Sequence, residues 1–218
     1  MSYRAIVAIL ALILGAPALA DTIAVIGTGD VGGALGPEFA AQGHTIVYGS
    51  RDPQRGKVKE LVEKTGDLAS ATTPAEAAAQ ADIVVLAVPG LMVEEITKSL
   101  GDLSGKIIID PTNPLERRMN RLEHAVDTSN AEIIQAAAPG AYVVKAFNTL
   151  NWKTMVDPSS AGGPVSIPLV GDNGRAKKIV AELVAGMGLE PIDVGPLRDA
   201  RWVEGMLILW INNRYGDK

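Results

Sequence analysis

The sequence contains no cysteine, and only two of its 218 residues are histidine. Without cysteine the chain cannot form a disulfide bond, a thiolate nucleophile or a cysteine-ligated zinc site. His44 and His124 are far apart in the chain, and we expect no metal site. The net charge of −5 disfavours nucleic acid as a partner, because phosphate binding needs a basic surface. We therefore expect any chemistry to depend on a molecule that the chain binds.

The first twenty residues have the pattern of an export signal. An apolar run over residues 5–16 is followed by Pro17 and by Ala18-Leu19-Ala20, the small-x-small pattern that a signal peptidase reads. The run is shorter than the roughly 20 residues of a membrane span. We predict a cleaved signal peptide over residues 1–20 and a single domain over residues 21–218, in the periplasm or secreted. The alternatives are an uncleaved anchor and an incorrectly assigned start. If the signal is not real, the protein would be cytoplasmic.

Strand and helix patterns alternate along the rest of the chain. This alternation predicts a doubly wound, mostly parallel α/β sheet, the Rossmann fold, with helical elements at the C-terminus. A proline- and glycine-rich tract at residues 157–164 is expected to be a flexible loop. Strands are predicted at residues 22–26, 45–48, 82–88, 106–110, 142–146 and 167–170, and helices at residues 31–42, 55–64, from 73 onward, 175–187 and 202–211.

A glycine-rich turn links the first predicted strand to the first predicted helix. Its sequence, Gly27-Thr28-Gly29-Asp30-Val31-Gly32, fits the dinucleotide-binding pattern GxGxxG in the structural context that makes the pattern informative. Gly27 permits the tight turn, Gly29 lets the backbone approach a diphosphate, and Gly32 lets the helix pack closely on the sheet. The helix N-terminus adds a positive dipole end. The alternative is a glycine-rich turn that binds no ligand.

The end of the second strand indicates which dinucleotide is bound. NAD-binding folds place a carboxylate there for the ribose hydroxyls, whereas this chain has Ser50 and Arg51. A hydroxyl and a guanidinium suit the 2′-phosphate of NADP, which needs donors and positive charge. Asp52 follows directly and leaves NAD as the alternative, although Arg55 and Lys57 add positive charge nearby. An ordinary surface arginine in a turn is the other reading.

Three later strand ends should face the same crevice of the sheet, where ligands bind in open α/β folds. The loop at Val88 and Pro89 and the loop at Thr112 and Asn113 are predicted to contact nicotinamide, with tight structural turns as the alternative. Lys145, at the end of a later strand, is as consistent with a solvated side chain as with a functional one.

No nucleophile–base–acid set is evident in the sequence, and we predict no catalytic side chain. His124 is expected to lie on a helix surface rather than to act as a base. Hydride transfer from a reduced nicotinamide to a second redox ring needs placement more than acid–base groups.

The motifs resemble the NADPH-binding domain shared by F420-dependent NADP oxidoreductases and by the cytosolic reductase domain of STEAP-type metalloreductases. The resemblance covers nearly all of the chain after Asp21, and its 144–149 segment is closer to the STEAP-type form. It rests on Ile26 to Gly32, Tyr48 to Pro53, Val144-Lys145-Ala146-Phe147-Asn148-Thr149, Leu169 to Asn173 and Gly188 to Leu197.

The resemblance implies roles for residues already singled out. Thr28 and the glycines would hold the diphosphate, and Ser50 and Arg51 the 2′-phosphate. The loops near Pro89, Asn113 and Asn148 would line the nicotinamide and acceptor pocket. The implied reaction is hydride transfer between NADP(H) and a flavin or deazaflavin, with FMN, FAD or F420 as acceptor.

Two further function classes stay open at this stage. One is an exported, non-catalytic nucleotide-binding protein. The other is an NADP-dependent reductase of a small imine or carbonyl compound, a reaction that usually needs a proton donor. STEAP-type proteins continue into a haem-bearing membrane domain, so a small diffusing acceptor or a separate membrane redox partner is expected here. The apolar helix at residues 202–211 makes a homodimer plausible, with burial against the sheet as the alternative.

Overall fold

The computed structural model describes residues 20–118 and 121–215. Short 3-10 turns lie at Gly90–Met92, Pro158–Ala161 and Leu197–Asp199, in addition to the strands and helices given next. The strands are β1 (Thr22–Ile26), β2 (Thr45–Gly49), β3 (Ala69–Thr72), β4 (Ile83–Leu86), β5 (Ile107–Asp110), β6 (Leu115–Arg118), β7 (Arg121–His124), β8 (Tyr142–Lys145), β9 (Ser166–Val170) and β10 (Glu190–Gly195). The helices are α1 (Asp30–Ala41), α2 (Gly56–Thr65), α3 (Pro74–Gln80), α4 (Val93–Ser99), α5 (Asn130–Ala137), α6 (Trp152–Val156), α7 (Gly174–Gly186) and α8 (Ala200–Tyr215).

Eight strands form one sheet in the order β10-β9-β8-β5-β4-β1-β2-β3, and β6 and β7 form a separate antiparallel hairpin. Strands β3, β2, β1, β4, β5 and β8 run parallel to one another, whereas β9 pairs antiparallel with β8 and parallel with β10. The predicted mostly parallel Rossmann fold with a C-terminal helix is therefore confirmed. Six strands consequently present their carboxyl ends at one edge of the sheet.

The central strands are mostly apolar because helices cover the sheet on both faces. Alternate residues of β1 point to opposite faces: Val25 belongs to an apolar cluster with residues of α1 and α7, and Ala24 to a second cluster with residues of α3 and α5. Helix α8 adds Val203 to the second of these layers. The continuous apolar runs of the sequence thus report burial on two sides.

Several elements lacked a sequence signal strong enough to predict them. Strand β3 consists of small residues that are not fully buried, and helices α4 and α5 are short. The β6–β7 hairpin is mostly charged. His124 lies on β7, so the expectation that it sits on a helix surface is wrong. The predicted loop at residues 157–164 contains one of the 3-10 turns.

The predicted signal peptide lies outside the described residues, apart from Ala20. Among the residues that are described, no helix is both long enough and apolar enough to cross a membrane.

Helix α1 approaches the sheet so closely that two of its glycines can be distinguished by their surroundings. A Cβ atom on Gly36 would lie 2.1 Å from Tyr48 Oη, whereas the nearest atom to a Cβ on Gly33 is Leu61 Cδ1 at 3.8 Å. The Tyr48 ring is buried and its hydroxyl lies 2.7 Å from Thr65 Oγ1, so it cannot easily move. Its burial raises the pKa of Tyr48 to about 12.

Gly36→Ala should therefore lower the free energy of unfolding by about 1–3 kcal/mol through overpacking. The matched control, Gly33→Ala, should raise it by up to about 1 kcal/mol, since alanine favours a helix. Urea unfolding followed by circular dichroism measures both. Equal effects of the two substitutions would contradict the close approach of α1 to β2.

Candidate functional site

The carboxyl edge of the sheet gathers the segments that the sequence predicted to bind a dinucleotide. The glycine loop follows β1, Ser50 and Arg51 follow β2, and Val88 and Pro89 follow β4. The segments carrying Asn113 and Asn148 follow β5 and β8. Because these five strands are parallel, all five loops lie at the same edge, which is where open α/β sheets bind their ligands.

The three glycines of the loop after β1 differ in what surrounds them. Gly27 has a φ of +102°, and a Cβ there would lie 2.2 Å from the carbonyl oxygen of Ala87. A Cβ on Gly32 would lie 2.0 Å from the carbonyl oxygen of Gly27. Around Gly29, in contrast, a Cβ would meet no atom within 4 Å. Gly27 and Gly32 are therefore required for packing, whereas Gly29 keeps open space in front of the helix.

Helix α1 begins at this open space. Gly29 is its N-cap and provides no side-chain hydrogen bond to the first turn. Thr28 and Val31 are half-buried, and Asp30 is exposed. The backbone N–H groups of an uncapped helix N-terminus bind anions, and the absent Cβ lets a diphosphate approach them. The loop thus fits the diphosphate of a dinucleotide.

The end of β2 brings positive charge to the same loop. Arg55 Nη2 donates a hydrogen bond of 3.4 Å to Thr28 Oγ1, which joins the start of α2 to the glycine loop. Arg51 is exposed. Ser50 is buried, and its hydroxyl donates to the carbonyl of Asp52 and accepts from the Asp52 N–H, so it closes a turn. The predicted contact of Ser50 with a 2′-phosphate stays a prediction.

On the other side of the edge, Asn113 and Asn148 pair with each other. Asn113 Nδ2 donates to the Asn148 carbonyl, and Asn148 Nδ2 donates to Asn113 Oδ1, both at 3.0 Å. Phe147 is fully buried with a φ of +66°, a strained left-handed conformation that turns the chain after β8. Pro89 is exposed beside them, and Gly90 packs on the Asn113 carbonyl, which a Cβ would approach to 1.9 Å.

Asn148 has one polar atom without a partner. Its Oδ1 is buried, and none of the described residues donates a hydrogen bond to it. Buried polar atoms are nearly always paired, so an exception at a ligand crevice indicates an acceptor that a ligand can satisfy.

Lys145 lies fully buried beneath these asparagines, so the solvated reading of this side chain is wrong. Its Nζ donates to Asp110 Oδ2 at 2.8 Å, to Glu204 Oε1 at 2.5 Å and to the Thr112 carbonyl at 2.5 Å. All three ammonium hydrogens therefore have acceptors. Both carboxyl groups are fully buried as well.

Glu204 extends this network to the hairpin and to α5. Its Oε1 also accepts the Asn130 N–H at 3.0 Å, and its Oε2 lies 2.9 Å from His124 Nε2. Burial raises the pKa of the Glu204 carboxyl, while the nearby Lys145 ammonium opposes the rise. Asn130 Nδ2 donates to the Gly90 carbonyl and to Thr112 Oγ1, which connects the network to two loops of the crevice.

The sequence did not indicate this network. Glu204 is separated from Lys145 by 59 residues and from His124 by 80. The available signal was a glutamate between Val203 and Met206 on a mostly apolar helix, since such a residue is rarely buried without a partner. Among the described residues, no group of three or more His, Asp or Glu side chains is placed to hold a metal ion.

The fold and the glycine loop define a Rossmann-type nucleotide-binding protein. A family model described as NADP oxidoreductase coenzyme F420-dependent matches residues 22–114. The F420-dependent NADP reductase of Methanothermobacter thermautotrophicus is 32% identical over 207 residues, covering 87% of this chain and 88% of that protein. A crystal structure from Arthrobacter sp. FB24, provisionally assigned as an F420-dependent NADP reductase, superposes with a TM-score of 0.81 at 34% identity, covering 88% of this chain and 93% of that one.

Metalloreductase STEAP3 of Rattus norvegicus is 32% identical over 191 residues, which are 87% of this chain but 37% of that protein. This chain thus spans little more than a third of the metalloreductase. The chain belongs to the F420-dependent NADP oxidoreductase family, and the predicted class, an NADP-dependent oxidoreductase, is confirmed.

Replacement of Lys145 tests the buried network. Lys145→Met removes the ammonium and leaves two carboxyl groups buried without it, so the free energy of unfolding should fall by about 3–5 kcal/mol. Lys98→Met is the matched control, because Lys98 pairs with Glu94 on an exposed helix face and should contribute less than about 1 kcal/mol. Urea unfolding compares them. A loss for Lys145→Met as small as the control's would refute the network's structural importance.

Proposed function

We propose that this protein binds NADP(H) along the carboxyl edge of its sheet and transfers hydride between its nicotinamide and a deazaflavin or flavin acceptor. One observation carries the proposal: two features lie at the same edge of the sheet. The first is the open space at Gly29 before α1, which would be a cradle for the diphosphate, and the second is the hydrogen-bonded pair Asn113 and Asn148, which forms a polar floor of the crevice. Relatives of nearly the same length are F420-dependent NADP reductases, which supports F420 as the acceptor.

Each half of the edge suits one part of the cofactor. The N–H groups at the start of α1 would bind the diphosphate, and Arg51 with Arg55 would supply positive charge for the 2′-phosphate. Asn148 Oδ1, which has no donor among the described residues, would accept a hydrogen bond from the nicotinamide carboxamide. Bound there, NADPH supplies a hydride from its nicotinamide ring.

Placement is the protein's main contribution to this reaction. The reciprocal asparagine pair and the turn at Phe147 hold the floor of the crevice in one conformation. A preorganised floor reduces the entropy that two stacked rings lose when they reach hydride-transfer distance. The lysine–carboxyl network beneath is fully buried, and we infer that it supports the floor rather than touching the reacting atoms.

The export signal at residues 1–20 and the homodimer stay predictions. We propose export on the sequence pattern alone. An exported chain would carry its cofactor bound, stay tethered facing inward, or use its pocket for another ligand. The dimer is supported by α8, where the side chains of Trp202, Met206 and Leu209 are 69%, 56% and 74% exposed on successive turns. A small-molecule acceptor is consistent with either arrangement, and a membrane redox partner is a further proposal.

Arg51→Asp tests the cofactor assignment. If Arg51 contacts the 2′-phosphate, the substitution should weaken NADPH binding by roughly tenfold or more, about 1.4 kcal/mol, and change NADH binding much less. Quenching of tryptophan fluorescence by each nucleotide measures both affinities. Arg175→Asp, on the exposed start of α7, is the matched control and should leave both unchanged.

Equal weakening of NADPH binding and NADH binding by Arg51→Asp would show that Arg51 does not distinguish the two nucleotides.

Reduction of an acceptor is measured separately, as NADPH oxidation at 340 nm with F420, FMN or FAD. Tight NADPH binding without transfer to any of the three would favour the non-catalytic nucleotide-binding alternative. Transfer to a small imine or carbonyl compound instead would favour the second alternative.

A further inference from the structure

The hydrogen bond between the His124 ring and the Glu204 carboxyl group requires one hydrogen atom, which either group can carry. His124 Nδ1 lies 2.7 Å from the Val126 carbonyl oxygen, which can only accept, so Nδ1 carries a hydrogen. Nε2 lies 2.9 Å from Glu204 Oε2. A hydrogen bond at that distance needs a proton on either the carboxyl group or the second ring nitrogen. With the proton on either atom, the pair has no net charge.

The remaining charges of the network then cancel. Lys145 is positive and Asp110 is negative, and their atoms are 2.8 Å apart. Loss of the shared proton would leave the buried network with a net charge of −1. A buried net charge is costly, because the interior cannot solvate it as water does.

The network is joined to the floor of the crevice at both asparagines. Lys145 bonds the carbonyl of Thr112, the residue before Asn113. Asn148 Nδ2 donates to the carbonyl of Val203, the residue before Glu204, at 3.3 Å. Movement of Glu204 would therefore displace the residues that hold Asn113 and Asn148 together.

We propose that Glu204 and His124 are positioning residues, which share one proton and thereby hold α8 and the β6–β7 hairpin against Lys145, so that Asn113 and Asn148 stay fixed in the crevice. A second contact joins the same two elements, because Asn212 on α8 bonds both the N–H and the carbonyl of Leu122 on β7. The hairpin itself continues directly from the Asn113 loop. The shared proton is independent of the proposed function, whereas its effect on the cofactor rests on that function.

The charged groups that face Glu204 come from three elements packed against α8. They are Lys145 from β8, Asp110 from β5 and His124 from β7, and α5 adds the Asn130 N–H. On α8 itself, Arg201 is bonded to Glu132 of α5 and not to Glu204.

The direction of the pH dependence follows from proton binding. Burial raises the pKa of Glu204, so its contribution to stability is complete below the ordinary pKa of a glutamate and is lost as pH rises through the folded value. Above the ordinary pKa of a glutamate the unfolded Glu204 side chain has lost its proton, whereas burial keeps a proton in the folded contact to higher pH. Stability should therefore fall as pH rises, until the folded pair releases the proton.

Glu204→Gln separates the shared proton from simple packing. A glutamine amide can donate to His124 Nε2 and accept from Lys145 at every pH, so it reproduces the protonated carboxyl group without a proton to lose. Thermal unfolding of the full chain from about pH 5 to about pH 10 should show a fall in Tm with rising pH for the wild type that Glu204→Gln lacks. Glu204→Leu, which cannot bond to either partner, should lower Tm at every pH.

His44→Gln is the matched control, because His44 is the other histidine and lies beside Asp21, away from the network. It should keep the fall in Tm with rising pH. A fall of the same size in Glu204→Gln would overturn the proposal. If Glu204→Gln does not fold, ¹⁵N NMR of the two wild-type imidazoles decides, with His44→Gln giving the assignment: a His124 ring without a hydrogen on Nδ1 at neutral pH also overturns it.

The positioning role has its own readout in cofactor affinity. At about pH 9 Glu204→Gln should bind NADPH roughly tenfold more tightly than the wild type, with a smaller difference at pH 7. A shared proton seen by Tm and NMR, with NADPH affinity independent of pH in both proteins, would overturn the positioning role alone. Absence of NADPH binding at every pH would instead contradict the proposed function and leave the shared proton standing.

Discussion

The buried ammonium of Lys145 connects the parts of this protein that are distant in sequence. It lies at the end of β8 and bonds Asp110 at the end of β5 and Glu204 on the C-terminal helix. An ammonium ion is costly to bury unless every donor is satisfied, and here three acceptors surround it. Helix α8 is consequently fixed against the carboxyl edge of the sheet. This arrangement helps to set the positions of the paired asparagines, Asn113 and Asn148.

The two halves of the crevice are built by different physical means. The diphosphate half depends on the backbone: two glycines permit close packing, and a third leaves space before a helix N-terminus. The opposite half depends on the side chains of Asn113 and Asn148, which follow β5 and β8, bond each other and reach the Val203 carbonyl of α8. A backbone cradle of this kind suits the diphosphate that all dinucleotides share, whereas a network of side chains can be adapted to a second substrate. This division agrees with a family whose members couple NADP to a separate acceptor.

Features that are local in the chain could be predicted from the sequence, and features made by distant residues could not. The glycine loop combines an apolar strand, three glycines at fixed spacing and a helix within a dozen residues, so its fold and position follow from local physics. Lys145 gave no such signal, because its burial depends on Glu204, 59 residues away. The sequence predicts no strand at His124, because the charged β6–β7 hairpin lacks the alternation of a half-buried strand. The fold class implies the order of the central strands, but it does not imply that β9 pairs antiparallel with β8.

The proposed direct hydride transfer at the carboxyl edge of the sheet can be tested by isotope transfer. NADPH deuterated at nicotinamide C4, on each face in turn, is incubated with the protein and oxidised F420, and the reduced deazaflavin is analysed by mass spectrometry. A deazaflavin receives hydride on carbon, so deuterium placed there does not exchange with water. With direct transfer, one of the two labelled faces delivers its deuterium to the acceptor. Reduced F420 that contains no deuterium from either face would contradict direct transfer.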